Sequence, residues 1–187
     1  PGLLLRCCRR TAAGALPTRG PWVEDDRHLE KVLLSGRRRI AYHSEDAYRL
    51  QARKPMYKPG DPYSYHMEWR DEECAFLGTR RLMALARKTG RPAHILHVST
   101  AQELEYLTDF RDIATCEVLV NHLTQVAPDC YERLAGYGVM NPPIPGQDHS
   151  APTARAITRS TVRPIRAVTP PRPLSQTHVR FRSAAAR

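Results

Sequence analysis

The stretch AHILHVSTAQE, residues 93–103, packs Ile95, Leu96 and Val98 closely around His97 and then turns to Ser99, Thr100 and Glu103. A short apolar run followed by hydroxyl residues, with a glutamate three positions beyond Thr100, is the pattern of a buried strand that ends and opens a helix through a capping box. That reading sets His97 at the end of the strand.

The same plan is predicted on both sides. Upstream, EDDRHLEKVLLSG places Leu29, Val32 and Leu33 at helical spacing, with acids at the start and Gly36 as the expected C-cap. A short strand over Ile40 to Tyr42 follows and ends at His43, and AYRLQARK reads as helical. Pro55, Pro59, Gly60 and Pro62 mark a loop. The segment EWRDEECAFLGTRRLMALARKTG predicts one long amphipathic helix with Cys74, Leu77, Leu82, Leu85 and Ala86 on a single face and Gly90 at its end. Downstream, TAQELEYLTDF is a helix and IATCEVLVN a buried strand ending at Asn121 and His122. Strands alternating with crossovers of this length argue for parallel pairing in an α/β sheet or barrel. About three βα units are expected, whereas a complete (β/α)8 barrel has eight and about 250 residues.

Composition narrows the function classes. The formal charge is +10 over 187 residues, but residues 23–143 carry a net −1, whereas residues 1–22 contribute +4 and residues 144–187 contribute +7. A nucleic-acid reading therefore rests only on the tails, whose Arg, Pro, Ser, Thr and Ala content predicts poorly ordered chain. No run approaches the roughly 18 to 20 apolar residues of a membrane span, and the first ten residues make a poor signal peptide, so a soluble, cytoplasmic protein is expected. The five cysteines, Cys7, Cys8, Cys74, Cys116 and Cys130, are odd in number and form no C-x-x-C, which predicts reduced thiols rather than disulfides or a thiolate zinc site.

In a parallel α/β barrel the C-terminal strand ends form the active-site face, where side chains distant in sequence converge. His43 and His97 hold equivalent positions there, and histidine is a common ligand of catalytic zinc. One such histidine is ordinarily just hydrogen-bonded. Two on neighbouring strands favour a metal pair.

The blocks AYHSED, HILHVSTAQELEYL, EVLVNHLT and MNPP, in this order, closely resemble the central part of bacterial dihydroorotases, cyclic amide hydrolases of the amidohydrolase superfamily. The similarity runs from about Trp22 to Ile144, roughly two thirds of the chain. It implies a partial TIM-type barrel of the metal-dependent hydrolases over residues 23–144, between a basic tail over residues 1–22 and an Arg/Pro/Ser/Thr-rich tail over residues 145–187. By the same resemblance His43 and His97 would hold the second metal of a binuclear zinc centre, and Asn141 would contact the pyrimidine ring. His122 stands in a block that many relatives write with two histidines after a proline; here Val120-Asn121-His122 departs from it, which assigns His122 a supporting or structural role. The implied reaction interconverts dihydroorotate and carbamoyl aspartate in pyrimidine biosynthesis. Allantoinase and dihydropyrimidinase use similar metal blocks and remain alternatives, although the His-Val-Ser-Thr and Met-Asn-Pro-Pro wording leans toward dihydroorotase.

Other parts of the family pattern do not occur. No His-x-His lies anywhere in the 187 residues, and residues 1–22 contain neither Lys nor Asp to bridge two metals. Asp148 in DHSAPT looks like the family's last catalytic block, but only six residues separate it from Asn141, too few for a helix and a parallel strand. Asp148 is therefore read as a chance likeness, and no residue is assigned as catalytic. The switch into arginine- and proline-rich text near Trp22 and Ile144 suggests a truncated or frame-shifted dihydroorotase, inactive alone. A non-catalytic scaffold for aspartate transcarbamoylase, or a homo-oligomer, is the alternative. Exposed sheet edges in a partial barrel would favour such association.

Overall fold

A computed structural model describes residues 25–147. The tails expected to be poorly ordered, and Asp148, lie outside these residues apart from the first three positions of the C-terminal one. The described chain runs α1 (Asp26–Leu34), β1 (Ile40–Tyr42), α2 (Ala47–Arg53), α3 (Tyr65–Trp69), α4 (Glu72–Thr89), β2 (Ala93–Ile95), α5 (Ala101–Leu107), β3 (Ala114–Cys116), α6 (Val120–Thr124) and α7 (Asp129–Leu134). Among these helices none is long and apolar enough to cross a membrane.

The three strands form one parallel sheet in the order β1-β2-β3, with Ile40 opposite Ala93 and Ala93 opposite Ala114. Side chains alternate along each strand, so Ile40, Tyr42, Ala93, Ile95 and Ala114 face one way. They enter a core with Leu29 and Leu33 of α1, Leu82 and Met83 of α4, and Leu104 and Leu107 of α5. Each fully buried Leu or Ile in such a core stabilises the fold by about 1.5–3 kcal/mol relative to its exposed state. The opposite sheet face is polar: His94 Nδ1 and Thr115 Oγ1 lie 2.8 Å apart, and Arg39 reaches over to donate to the Ala93 carbonyl at 2.8 Å. The α/β parallel architecture agrees with the expectation from sequence.

Several local expectations are revised. Gly36 does not end α1 in a left-handed turn, since Ser35 caps the helix and Gly60 and Gly90 are the positive-φ glycines of the described chain. Gly36 instead leaves room for Arg91, whose guanidinium nitrogen would stand 2.6 Å from a Cβ there. The expected long helix is two, α3 and α4, because Arg70 departs from helical backbone and Asp71 caps α4 by accepting from the Cys74 amide. Its buried residues are Cys74, Ala75, Gly78, Thr79, Leu82, Met83 and Ala86, whereas Leu77 and Leu85 are half-buried. The face is shifted because α4 lays its small residues against the chain after β1: the Asp46 amide donates to the Cys74 carbonyl at 2.7 Å. Gly90 ends α4 as expected, at φ 66°.

The third strand is shorter than its apolar text predicts. It stops at Cys116, and Asn121 and His122 lie in α6, with Val120 exposed. The segment at Glu117 still completes the sheet's edge, its amide donating to the Ile95 carbonyl at 2.9 Å and its carbonyl accepting from Val98 at 2.8 Å. The capping box of α5 forms as read, with Thr100 rather than Ser99 as the cap.

Candidate metal and substrate site

β1 and β2 run parallel in register, Tyr42 beside Ile95, so both chains leave the sheet at the same end. His43 follows Tyr42 directly, and His97 follows Ile95 by two residues. Their rings meet edge to face with centroids 4.6 Å apart, and His43 Nδ1 stands 2.8 Å from His97 Nε2. Strand alternation alone would send a side chain two residues past Ile95 back toward the helices. His97 adopts φ 41°, a left-handed conformation uncommon outside glycine that re-aims the chain at this point.

A buried carboxylate stands behind the pair. Glu45 accepts from His43 Nε2 at 2.7 Å, and Arg70 grips the same carboxylate with Nε at 3.1 Å and with Nη2. Burial pushes the Glu45 carboxyl up, but the His43 hydrogen bond and the Arg70 charge outweigh it and hold the group below its ordinary range. His97 behaves in the opposite sense: burial first, and then the neighbouring His43, lower its imidazole to about 4. At neutral pH its ring is therefore uncharged, the form that serves as a metal ligand.

A second buried network braces this end of the sheet. Glu103, in the first turn of α5, accepts from Thr79 at 2.7 Å, from Thr100 Oγ1 at 3.0 Å, and from the Ser99 and Thr100 amides. Thr79 in turn pairs with Ser44 at 2.9 Å, so the residues following His43 and His97 are both tied to α4.

His122 is fully buried and its Nε2 donates to the Pro142 carbonyl at 3.2 Å. Burial lowers its pKa, and it lies near enough to His97 to depress that ring further. Asn141 accepts at Oδ1 from His66 Nε2 at 3.1 Å, and the same nitrogen meets the Met140 carbonyl at 3.0 Å. The structure thus brings His43 and His97 together, seats His122 behind them, and joins the Asn141 loop to this group through Pro142. Asn141 itself bonds His66 and not the histidine pair. A groove of about 190 Å³ beside the prolines is lined by Met67, Arg70, Ser99 and Ile144. Glu45, Arg70 and His66 were not singled out from sequence. Glu45 stood in the quoted HSED block, but nothing local tells that Arg70, 25 residues later, would reach it.

The pair fits as part of a metal site in chemistry and support, since a ligating histidine ordinarily gives its other nitrogen to a carboxylate. Two nitrogens on one tetrahedral zinc lie about 3.3 Å apart, so rings 2.8 Å apart would part by about half an ångström to hold it. Zinc sites use at least three protein ligands. Among the described residues no group of three His, Cys, Asp or Glu is placed to hold a metal, so these residues bring two.

No family model matches the chain. A dihydroorotase of Methanosarcina acetivorans is 30% identical over 113 residues, covering 56% of this chain and 24% of that protein. A dihydroorotase of Methanothermobacter thermautotrophicus is 27% identical over 95 residues, 51% of this chain and 22% of that protein. Among solved structures, the L-hydantoinase (dihydropyrimidinase) of Arthrobacter aurescens superposes with a TM-score of 0.65 at 19% identity, over 75% of this chain and 33% of that one. The D-hydantoinase (dihydropyrimidinase) of a Thermus species gives 0.64 at 19% identity, over 71% and 31%. The chain spans about a quarter of the length of the curated relatives it matches. The resemblance drawn from the four sequence blocks is thus shown: about half of the chain is similar to dihydroorotases, and its α/β fold is shared with part of the hydantoinases.

Proposed function

We propose that this chain is part of a zinc-dependent cyclic amide hydrolase of the dihydroorotase type, a segment of a (β/α)8 barrel that does not turn over substrate alone. The observation that carries the reading is the meeting of His43 Nδ1 and His97 Nε2 at the ends of adjacent parallel strands, inside the stretch similar to dihydroorotases. Dihydroorotate and carbamoyl aspartate differ by one amide bond, which water attacks slowly. Zinc, when bound, lowers the pKa of a water toward about 7 and polarises the amide carbonyl.

The chain's own residues have defined tasks in this scheme. His43 and His97 would offer two imidazole nitrogens, Nδ1 and Nε2, and Glu45 keeps the His43 ring oriented. Asn141 contacts the ring of the substrate, held through its oxygen by His66 so that its amide NH2 is free to donate to a ring carbonyl. His122 supports the loop that carries Asn141 by its bond to Pro142. The remaining metal ligands and the carboxylate that moves the proton to the departing nitrogen come from outside the described residues.

The test is zinc content and dihydroorotate hydrolysis on one purified sample of the full chain, alone and mixed with a separately expressed N-terminal portion of a dihydroorotase barrel. Turnover and retained zinc only in the mixture, both abolished by His97→Ala, are the expected results. Turnover in the mixture that survives His43→Ala and His97→Ala together would overturn the assignment. Stable co-purification with aspartate transcarbamoylase in the absence of any turnover would favour a scaffold role instead.

A further inference from the structure

We propose that Glu45, clamped by Arg70, is a positioning residue that fixes His43 in its Nε2–H tautomer, leaving Nδ1 as the ring's one lone pair and aiming it at His97. The use of that lone pair for a metal rests on the function proposed above; the tautomer itself does not.

The argument starts from what a carboxylate can do. Ionised, it only accepts hydrogen bonds, so the nitrogen 2.7 Å away must carry the proton. A neutral imidazole has one N–H and one lone pair, so protonation at Nε2 places the lone pair on Nδ1. Arg70 makes the arrangement rigid. It reaches the carboxylate with two nitrogens while its guanidinium lies 5.1 Å from the centre of the Trp69 ring, which holds it from a second side. Glu45 has no exposed surface. If His43 Nδ1 accepts in the metal-free chain, His97 Nε2 donates, and holding a metal between these two nitrogens would require the His97 proton to move to Nδ1. The break between α3 and α4 also gains a purpose, since it is Arg70 that leaves the helix there.

Glu45 acting only as a buried ion-pair partner would stabilise the fold without selecting a tautomer, so the tautomer is the discriminating measurement. The full chain, with 15N-labelled histidine and free of metal, is examined by long-range 1H–15N correlation, with His43 assigned by its loss in His43→Gln. The expected wild-type spectrum shows a protonated Nε2 and a bare Nδ1. In Glu45→Gln the single tautomer is expected to give way to a mixture, and Arg70→Gln to do so in part. A wild-type His43 protonated at Nδ1 overturns the proposal, and this reading does not depend on any variant folding. A folded Glu45→Gln chain with an unchanged tautomer also overturns it. Zinc chloride then separates the two claims. Zinc is expected to move the His43 Nδ1 resonance, with affinity falling about 10–100-fold in Glu45→Gln. Zinc that leaves both rings unmoved would overturn the metal-centre reading, while the tautomer result would still support the clamp.

Discussion

Gly78→Ala should destabilise this protein, although in most helices the change would help. Replacing a mid-helix glycine with alanine normally gains about 1 kcal/mol. At Gly78 an added Cβ would lie 2.8 Å from the Glu45 carbonyl carbon, 2.9 Å from the Asp46 nitrogen and 2.9 Å from the Glu45 Cα. Ordinary carbon contacts begin at about 3.5 Å, so the new atom intrudes by more than half an ångström on three backbone atoms that no side-chain rotation can remove. Overpacking of this kind costs about 1–3 kcal/mol. Pushing the segment outward also strains the bond from the Asp46 amide to the Cys74 carbonyl, whose loss costs about 1 kcal/mol. The balance is a net loss of about 1–3 kcal/mol. Urea unfolding followed by circular dichroism measures it, with Ala84→Gly at an exposed position of α4 as the calibration of the propensity term. Because the displaced atoms belong to Glu45 and Asp46, the His43 ring resonances should shift as well. A Gly78→Ala chain that gains about 1 kcal/mol with His43 unmoved would refute the close approach of α4 to this loop.

Three further outcomes follow from the same structure. Asp71 caps α4 and binds Arg49 through two contacts of 2.8 and 2.5 Å; burial raises its carboxyl, but the Arg49 and Cys74 bonds prevail and lower it below the usual 3.8. A lowered folded-state pKa means stability that is present above pH 3.8 and lost as pH falls through the folded value, so Asp71→Asn should cost about 1 kcal/mol at pH 7 and nothing below both values, read from urea midpoints across pH. Thr100→Ala removes the two bonds of the Thr100 hydroxyl with Glu103, at 3.2 and 3.0 Å, and should cost about 1–2 kcal/mol; an unchanged urea midpoint would contradict the capping role of Thr100. Burial pushes the Cys74 thiol up to about 12 and that of Cys116 to about 11, so at pH 8 peptide mapping after iodoacetamide should find both unmodified in the native chain and alkylated in urea.

What was legible in the sequence had a local cause. The Thr100 and Glu103 pair, the turn at Gly90 and the apolar runs of β1 and β2 each depend on neighbours a few positions away, and each formed where its spacing placed it. The four family-like blocks also led to His43 and His97, because a resemblance carries the tertiary contact with it. What failed to show depends on distant partners. Gly36 reads as a helix stop until Arg91 is seen to fill its space. Leu77 looks like a core position until the chain after β1 is found against Gly78 instead. The run IATCEVLVN reads as continuous strand because periodicity cannot tell a strand from a short helix in an apolar run. Glu45, Arg70 and His66 are ordinary charged or polar residues in a helix-forming context, and only packing turns them into partners of His43 and Asn141.

His97 shows most directly how the sheet and the site depend on each other. Register pairs Tyr42 with Ile95, so His43 lies one residue beyond the sheet and His97 two. Alternation would place those two side chains on opposite faces. Their nitrogens are nevertheless 2.8 Å apart, and the backbone at His97 is left-handed at φ 41°. Such a conformation costs a non-glycine residue about 1–3 kcal/mol and persists only where surrounding bonds enforce it. Those bonds are present on both sides: the Leu96 amide donates to the Tyr42 carbonyl at 2.9 Å, the Val98 amide to the Glu117 carbonyl at 2.8 Å, and Ser99 and Thr100 are held by Glu103. The chain is thus tied before and after His97, and the residue between must turn. A fold under no demand at this point could relieve the strain with glycine. With an imidazole here instead, the left-handed turn brings its Nε2 to 2.8 Å from His43 Nδ1, so the local strain and the meeting of the two rings have the same cause.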